Sequence, residues 1–307
     1  MPGSLSRRDA LLGAVAAGAL ATGASAAAKD EAEPFGYCLN IATIRGQKLP
    51  LDRQIDVAAQ AGYGAIEPWT GDIRRHQQQG GSLADIRKKL ADLGLKAPSA
   101  IGFARWIADD EGQRAKALEQ IKGDMDLLRQ IGATGMAAAP GGAKRPLDLA
   151  AAAERYRAVL ELGDEMGIIP QLELWGPSPL HTVGQAAMVA ADAGHPKASL
   201  LLDAYHIYKG GGNFAGLRLL GPLAMHAFHM NDYPADPPRE AINDSHRVMP
   251  GDGVAPMKDI LRTLRDIGFR GWLSIELFNR DYWKKPAAET ARIGLAKMRA
   301  AVAAALA

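Results

Sequence analysis

From Phe35 onward the chain alternates eight short apolar runs with eight longer amphipathic segments, and this alternation constrains the fold more than any other feature. Strand-like runs lie near 36–44, 65–69, 96–102, 135–140, 168–175, 198–205, 225–231 and 271–278. Between them, apolar residues recur at i, i+3, i+4 and i+7, which predicts helices near 52–62, 82–93, 112–131, 147–166, 182–193, 213–220, 257–267 and 287–302. Parallel strands joined by helices need both faces covered, and eight such units close into a (β/α)8 TIM barrel, an α/β fold. A doubly wound open sheet is the competing arrangement. The first strand, however, lacks a following G-x-G-x-x-G, and the chemically interesting residues are spread over many strand ends rather than one crevice. No linker or repeat divides 35–307, so a single domain is expected. The longest irregular stretch, Asp232 to Pro256, has the length of a functional or mobile loop.

The first residues read as an address rather than as fold. Arg7 and Arg8 precede an apolar run from Ala10 to Ala21, and Ala24-Ser25-Ala26 offers a cleavage site. The run is too short and too rich in Ala and Gly to hold the chain stably in a bilayer. Its pattern resembles a twin-arginine signal, which implies the twin-arginine export machinery as a partner and a periplasmic or secreted product. The expected organisation is therefore a cleavable export signal over 1–26, a linker over 27–34 and the barrel over 35–307.

Charge and cysteine content then exclude whole classes. Lys+Arg number 36 against 34 Asp+Glu, a formal +2 that falls to +1 once Arg7, Arg8 and Asp9 are removed. That balance provides no general attraction for nucleic acid or an anionic membrane. The single cysteine, Cys38, excludes an intrachain disulfide framework and a Cys-rich zinc site. At 48% hydrophobic residues the chain can bury a large core. A homo-oligomer is compatible with these features.

Barrel strands buried on both faces should be nearly continuous apolar runs, so an ionisable residue at a C-terminal strand end needs a reason. Four late strands each supply one: Glu173 in IIPQLELWG, Asp203 in SLLLDAYH, His229 in MHAFHMND and Glu276 in GWLSIELF. Each would stand at the same mouth. Three carboxylates crowded there repel one another unless a cation sits among them or protons are taken up. Three carboxylates and an imidazole suit a divalent metal ion, the oxygen-rich set favouring Mn²⁺ or Mg²⁺ over Co²⁺ or Zn²⁺. Such an ion could polarise the carbonyl of a hydroxyketone, while a carboxylate on each side of the neighbouring carbon removes and returns its proton.

These residues carry a family resemblance. IEPW, LELWG, LLDAYHIYKGG, FHMND, HRVMPGDG and LSIELF together make the chain similar to the xylose isomerase-like TIM-barrel superfamily, in its sugar phosphate isomerase/epimerase branch, across 35–300. That branch includes ketose 3-epimerases, hydroxypyruvate isomerase and inosose dehydratase. The resemblance implies that Glu173, Asp203, His229 and Glu276 bind the metal and that Glu173 and Glu276 are the catalytic proton-transfer pair. It implies a sugar or polyol substrate, isomerised or epimerised through an enediolate. His206, three residues after Asp203, and the pair His246 and Arg247 in the long loop are expected to contact the substrate. Glu67 could hydrogen-bond sugar hydroxyls, and Trp69, Trp106 and Trp175 could cover C–H faces of a sugar. An inosose-dehydratase-type lyase needs the same first proton abstraction and is the alternative; a non-catalytic periplasmic sugar-binding protein is a further one.

Overall fold

The computed structural model describes residues 33–307, and the expected signal over 1–26 lies outside them. The strands are β1 (Gly36–Asn40), β2 (Ala65–Glu67), β3 (Gly135–Ala138), β4 (Ile169–Glu173), β5 (Ser199–Asp203), β6 (Met225–His229) and β7 (Trp272–Ile275). All their pairings are parallel, in the order β2-β1-β7-β6-β5-β4-β3. The expected third strand, 96–102, is not continuous. Its residues nevertheless bridge the two sheet edges. Lys96 N–H donates to Gly64 O and Ile101 N–H to Pro68 O on the β2 side. On the β3 side, Thr134 N–H and Ala137 N–H donate to Ala97 O and Ala100 O. Pro98 has no N–H to give, which explains why the segment contributes bridges instead of an unbroken ladder. The barrel is thereby closed with seven regular strands and one irregular one among the described residues.

Helices cover the outside: α1 (Leu51–Ala61), α2 (Thr70–Gln78), α3 (Leu83–Asp92), α4 (Glu111–Ile131), α5 (Leu149–Met166), α6 (Val183–Asp192), α7 (Ala204–Lys209), α8 (Met257–Asp266), α9 (Arg280–Trp283) and α10 (Ala287–Leu306). Their starts follow capping chemistry. Ser82, Asp110 and Asp148 accept from the backbone N–H three residues on, and Thr182 with Gln185 forms a reciprocal capping box. Gly132 and Gly167 end α4 and α5 at φ 80° and 70°, a conformation that costs glycine no Cβ clash. The predicted helix at 213–220 is a 3-10 helix, Phe214–Leu219. α2, α7 and α9 were not expected from periodicity. Among the described residues no helix is long and apolar enough to cross a membrane.

The stretch from Asp232 to Pro256 is irregular, as expected, yet it is tied down by one carboxylate. Asp232 Oδ1 accepts from Tyr233 N–H (2.8 Å) and Ala255 N–H (2.9 Å), and Oδ2 from Gly251 N–H (3.0 Å) and Gly253 N–H (3.1 Å). A Cβ on Gly253 would collide with this carboxylate and with Tyr233 O, so the close wrap requires glycine there. An antiparallel bridge between Asp232 and Val248 completes the loop and delivers Arg247 to the barrel mouth.

Candidate metal centre and active site

Strand register places the polar residues at one level. Asp203 pairs with His229 and His229 with Ser274, while Asn40 pairs with Glu67; Glu276 lies two residues beyond Ser274, on the same face. One ligand atom each from Asp203, His229 and Glu276 falls within 4.8 Å of the others, and all three residues are buried. His229 Nδ1 is 3.5 Å from Asp203 Oδ2 and 3.3 Å from Glu276 Oε2. On the other side of the ring, His229 Nε2 lies 3.0 Å from Glu67 Oε2, to which the ring donates; burial opposes its cation, but Glu276, Glu67 and Asp203 hold the imidazole well above its ordinary range, so a metal ion at Nδ1 would have to displace a proton. That Nδ1 and Glu173 Oε2 are buried atoms without a hydrogen-bond partner. An imidazole nitrogen aimed at two carboxylates, with its far nitrogen held by a third, is the donor set a divalent cation fits.

Glu67, expected to touch substrate, sits instead beneath the site. It is fully buried, and its Oε2 accepts from Asn40 Nδ2 (2.8 Å), Ser274 Oγ (2.7 Å) and His229. Burial opposes its anion, but His229, Ser274 and Ser99 outweigh that cost and hold the carboxyl below its ordinary range. Asn40 also donates to Glu276 Oε1 (3.1 Å), so one amide links the two glutamates. Asn231 Nδ2 donates to Asp203 Oδ2 (3.0 Å). Asp203 Oδ1 accepts the N–H of His206 and caps α7, which explains why that short helix begins at the strand end.

Arg247 reaches the same carboxylates. Its Nη1 donates to Asp203 Oδ2 (2.9 Å) and Glu276 Oε2 (2.8 Å), and its Nη2 donates to Asp244 and lies 3.1 Å from His206 Nε2. Burial works against the Asp203 anion, yet Arg247 and the two histidines hold its carboxyl well below the usual range. Burial pulls His206 down to about 4, so its ring is neutral. A neutral ring accepts at one nitrogen only, so His206 chooses between Arg247 and the Gly176 N–H that lies 3.3 Å from its Nδ1. Glu173, the fourth expected ligand, is not in the 4.8 Å group. Burial pushes its carboxyl up to about 8, with Glu276 and Asp203 adding to the rise against the opposing pull of His229.

A cavity of about 330 Å³ opens above these groups, with Glu173, His206, Arg247 and Glu276 on its polar side. Trp69 and Trp175 wall it as expected. Trp106 does not: it packs against Tyr156 and donates to Ala139 O in the core. His246 is not among the lining residues either; its Nδ1 accepts from Asn243 N–H and caps the local turn. Phe103, Phe278, Asp244, Asn40, Asn231 and Ser274 were not foreseen. Asn231 alone had a signal, in the FHMND run.

A family model described as xylose isomerase-like TIM barrel matches residues 55–301. The inosose isomerase of Bacillus velezensis is 25% identical over 259 residues, covering 82% of this chain and 92% of that protein. The 3-dehydroshikimate dehydratase of Pseudomonas putida is 25% identical over 268 residues, covering 80% of this chain but 39% of that protein. Among solved structures, the IolI protein with a bound zinc atom superposes with a TM-score of 0.82 at 22% identity, covering 88% of this chain and 99% of its own. Closed barrel, strand-end ligand trio and matched span agree: the chain belongs to the xylose isomerase-like TIM barrel family.

Proposed function

We propose that the protein is a divalent-metal-dependent isomerase or epimerase acting on a ketose or related keto-polyol, with Glu173 and Glu276 as its proton-transfer pair. The observation that carries this reading is the buried trio of Asp203, His229 and Glu276, whose glutamate lines a cavity that a second glutamate, Glu173, also faces. A divalent ion held by these residues would supply Lewis-acid polarisation of a substrate carbonyl. The oxygen-rich ligands favour Mn²⁺, and the zinc of the IolI relative makes Zn²⁺ its competitor. Glu67 fixes the tautomer of His229 and Asn40 holds Glu276 in place. His206 and Arg247 line the polar side of the cavity and would orient substrate oxygens, while Trp69 and Trp175 cover the substrate's C–H faces. The likeness to an inosose isomerase supports an isomerase.

The likeness to a 3-dehydroshikimate dehydratase favours a second reading, in which the same proton abstraction is followed by loss of a hydroxyl. Chelator treatment is expected to abolish turnover across a panel of ketoses and inososes, and Mn²⁺, Co²⁺, Mg²⁺ or Zn²⁺ to restore it. Solvent deuterium should enter the product beside the carbonyl. Full turnover by metal-free protein would defeat the proposal, and loss of water without any isomer would select the lyase. We also propose export by the twin-arginine route. Residues 1–34 fused to a reporter should carry it to the periplasm, and undiminished export after replacing Arg7 and Arg8 by Lys would overturn that assignment.

A further inference from the structure

We infer that the ligand of this cavity is an uncharged polyhydroxylated ring bearing neither phosphate nor carboxylate; this rests on reading the site as one for keto-polyols. The apolar wall of the cavity is a connected aromatic surface. Trp69 meets Phe103 edge-on with centroids 5.1 Å apart, Phe103 lies 6.1 Å from Trp175, and Trp69 lies 6.2 Å from Phe278. Ile101 and Pro177 fill the gaps. Phe103 is 49% exposed, a large apolar ring left at the rim with a face to cover. Such a surface stacks on the C–H faces of a ring and offers nothing to an anionic substituent.

The polar side is equally unsuited to anions. Among the described residues that line the cavity, Arg247 is the one permanent cation, and its terminal nitrogens are already engaged by Asp203, Glu276, Asp244 and His206. What remains is a single Nε–H, itself buried, with the guanidinium packed over Tyr205 and Phe278, which leaves no bidentate grip for phosphate or carboxylate. Arg45 stacks 3.8 Å over Trp69 but lines a different surface cavity, where Asp72 balances it at 3.5 Å. Asp244 and Glu276 both line the ligand's space, so an added negative charge would meet two carboxylates there.

The test compares one ring with and without its charge. Calorimetry with Mn²⁺-loaded protein should show methyl 3-dehydroshikimate binding about tenfold or more tightly than 3-dehydroshikimate, a gap of roughly 1.4 kcal/mol or larger. Scyllo-inosose should bind, and fructose should bind more tightly than fructose 6-phosphate. Phe103→Ala and Phe278→Ala should each weaken the neutral ligands without altering Mn²⁺ affinity. Equal or tighter binding of the charged member of either pair, or no binding by any of the neutral rings, would overturn the inference. Turnover is read separately. Neutral rings that bind without reacting would defeat the isomerase and lyase readings alone, whereas preferred turnover of an anionic ring would defeat this inference and leave those readings standing.

Discussion

The two halves of the barrel mouth use the same kind of position for different ends. β4, β5 and β6 end in Glu173, Asp203 and His229, and Glu276 follows β7; their side-chain atoms converge on a small volume or face the cavity. β1 and β2 end in Asn40 and Glu67, which are equally buried but turned sideways to hold their neighbours across the barrel. Glu67 and Glu173 make the contrast sharpest. Both are buried glutamates at strand ends and each keeps one oxygen without a partner, yet the other oxygen of Glu67 takes three donors away from the cavity, whereas Glu173 lines the cavity. Burial alone therefore does not distinguish reagent from support; what separates the two glutamates is that only Glu173 faces the cavity.

Substitutions should separate the two roles. The largest effect is expected at Glu173→Gln, which keeps shape but removes a proton carrier, with kcat falling about 10²- to 10⁴-fold. Steady-state kinetics on the best ketose or inosose checks this, and an unchanged kcat would move Glu173 to the supporting class. Glu67→Gln should instead weaken metal affinity by about 10- to 100-fold through the loosened His229 ring. Titration with Mn²⁺ measures it; unchanged affinity together with a collapsed kcat would mean that Glu67 reacts and the contrast fails. At Asp232→Asn one oxygen acceptor replaces two, leaving backbone N–H groups facing an amide NH₂. Stability should drop by about 1–3 kcal/mol in denaturant unfolding, with a raised KM as Arg247 loses its fixed approach. A wild-type midpoint and KM would show that the loop does not depend on its carboxylate. Smallest of all, His246→Ala should leave KM unchanged and stability within about 0.5 kcal/mol; a clear KM increase would restore His246 to the substrate's surroundings.

What could be read from the sequence follows from the same contrast. Asp203, His229 and Glu276 interrupt long apolar strands, and a charge in such a run is conspicuous whatever surrounds it. Asn40 and Ser274 are small neutral groups that any strand end tolerates, and their meaning appears only across the sheet, where Asn40 meets a glutamate 236 residues away. Glu67 was visible as a residue but not as a support, because its partner His229 lies 162 positions along the chain. The major helices were legible from their apolar stripes. α2 was not: TGDIRRHQQ offers Ile73 as its only large aliphatic side chain, and no side chain caps its start. His246 and Trp106 misled for the opposite reason, since residue type suggests chemistry that their local packing has already consumed.

The interrupted segment between β2 and β3 has one more consequence. It is the seam of the barrel, stitched by separate bridges around Pro98, and its last residues run directly into Ile101 and Phe103. The aromatic wall of the cavity is thus continuous with the one segment of the described barrel that forms bridges instead of a regular strand. Amide protons along 99–103 should exchange with solvent sooner than those of β4 to β7. Earlier exchange there would mark the seam as the compliant edge of a barrel whose candidate metal trio is carried at the ends of β5, β6 and β7.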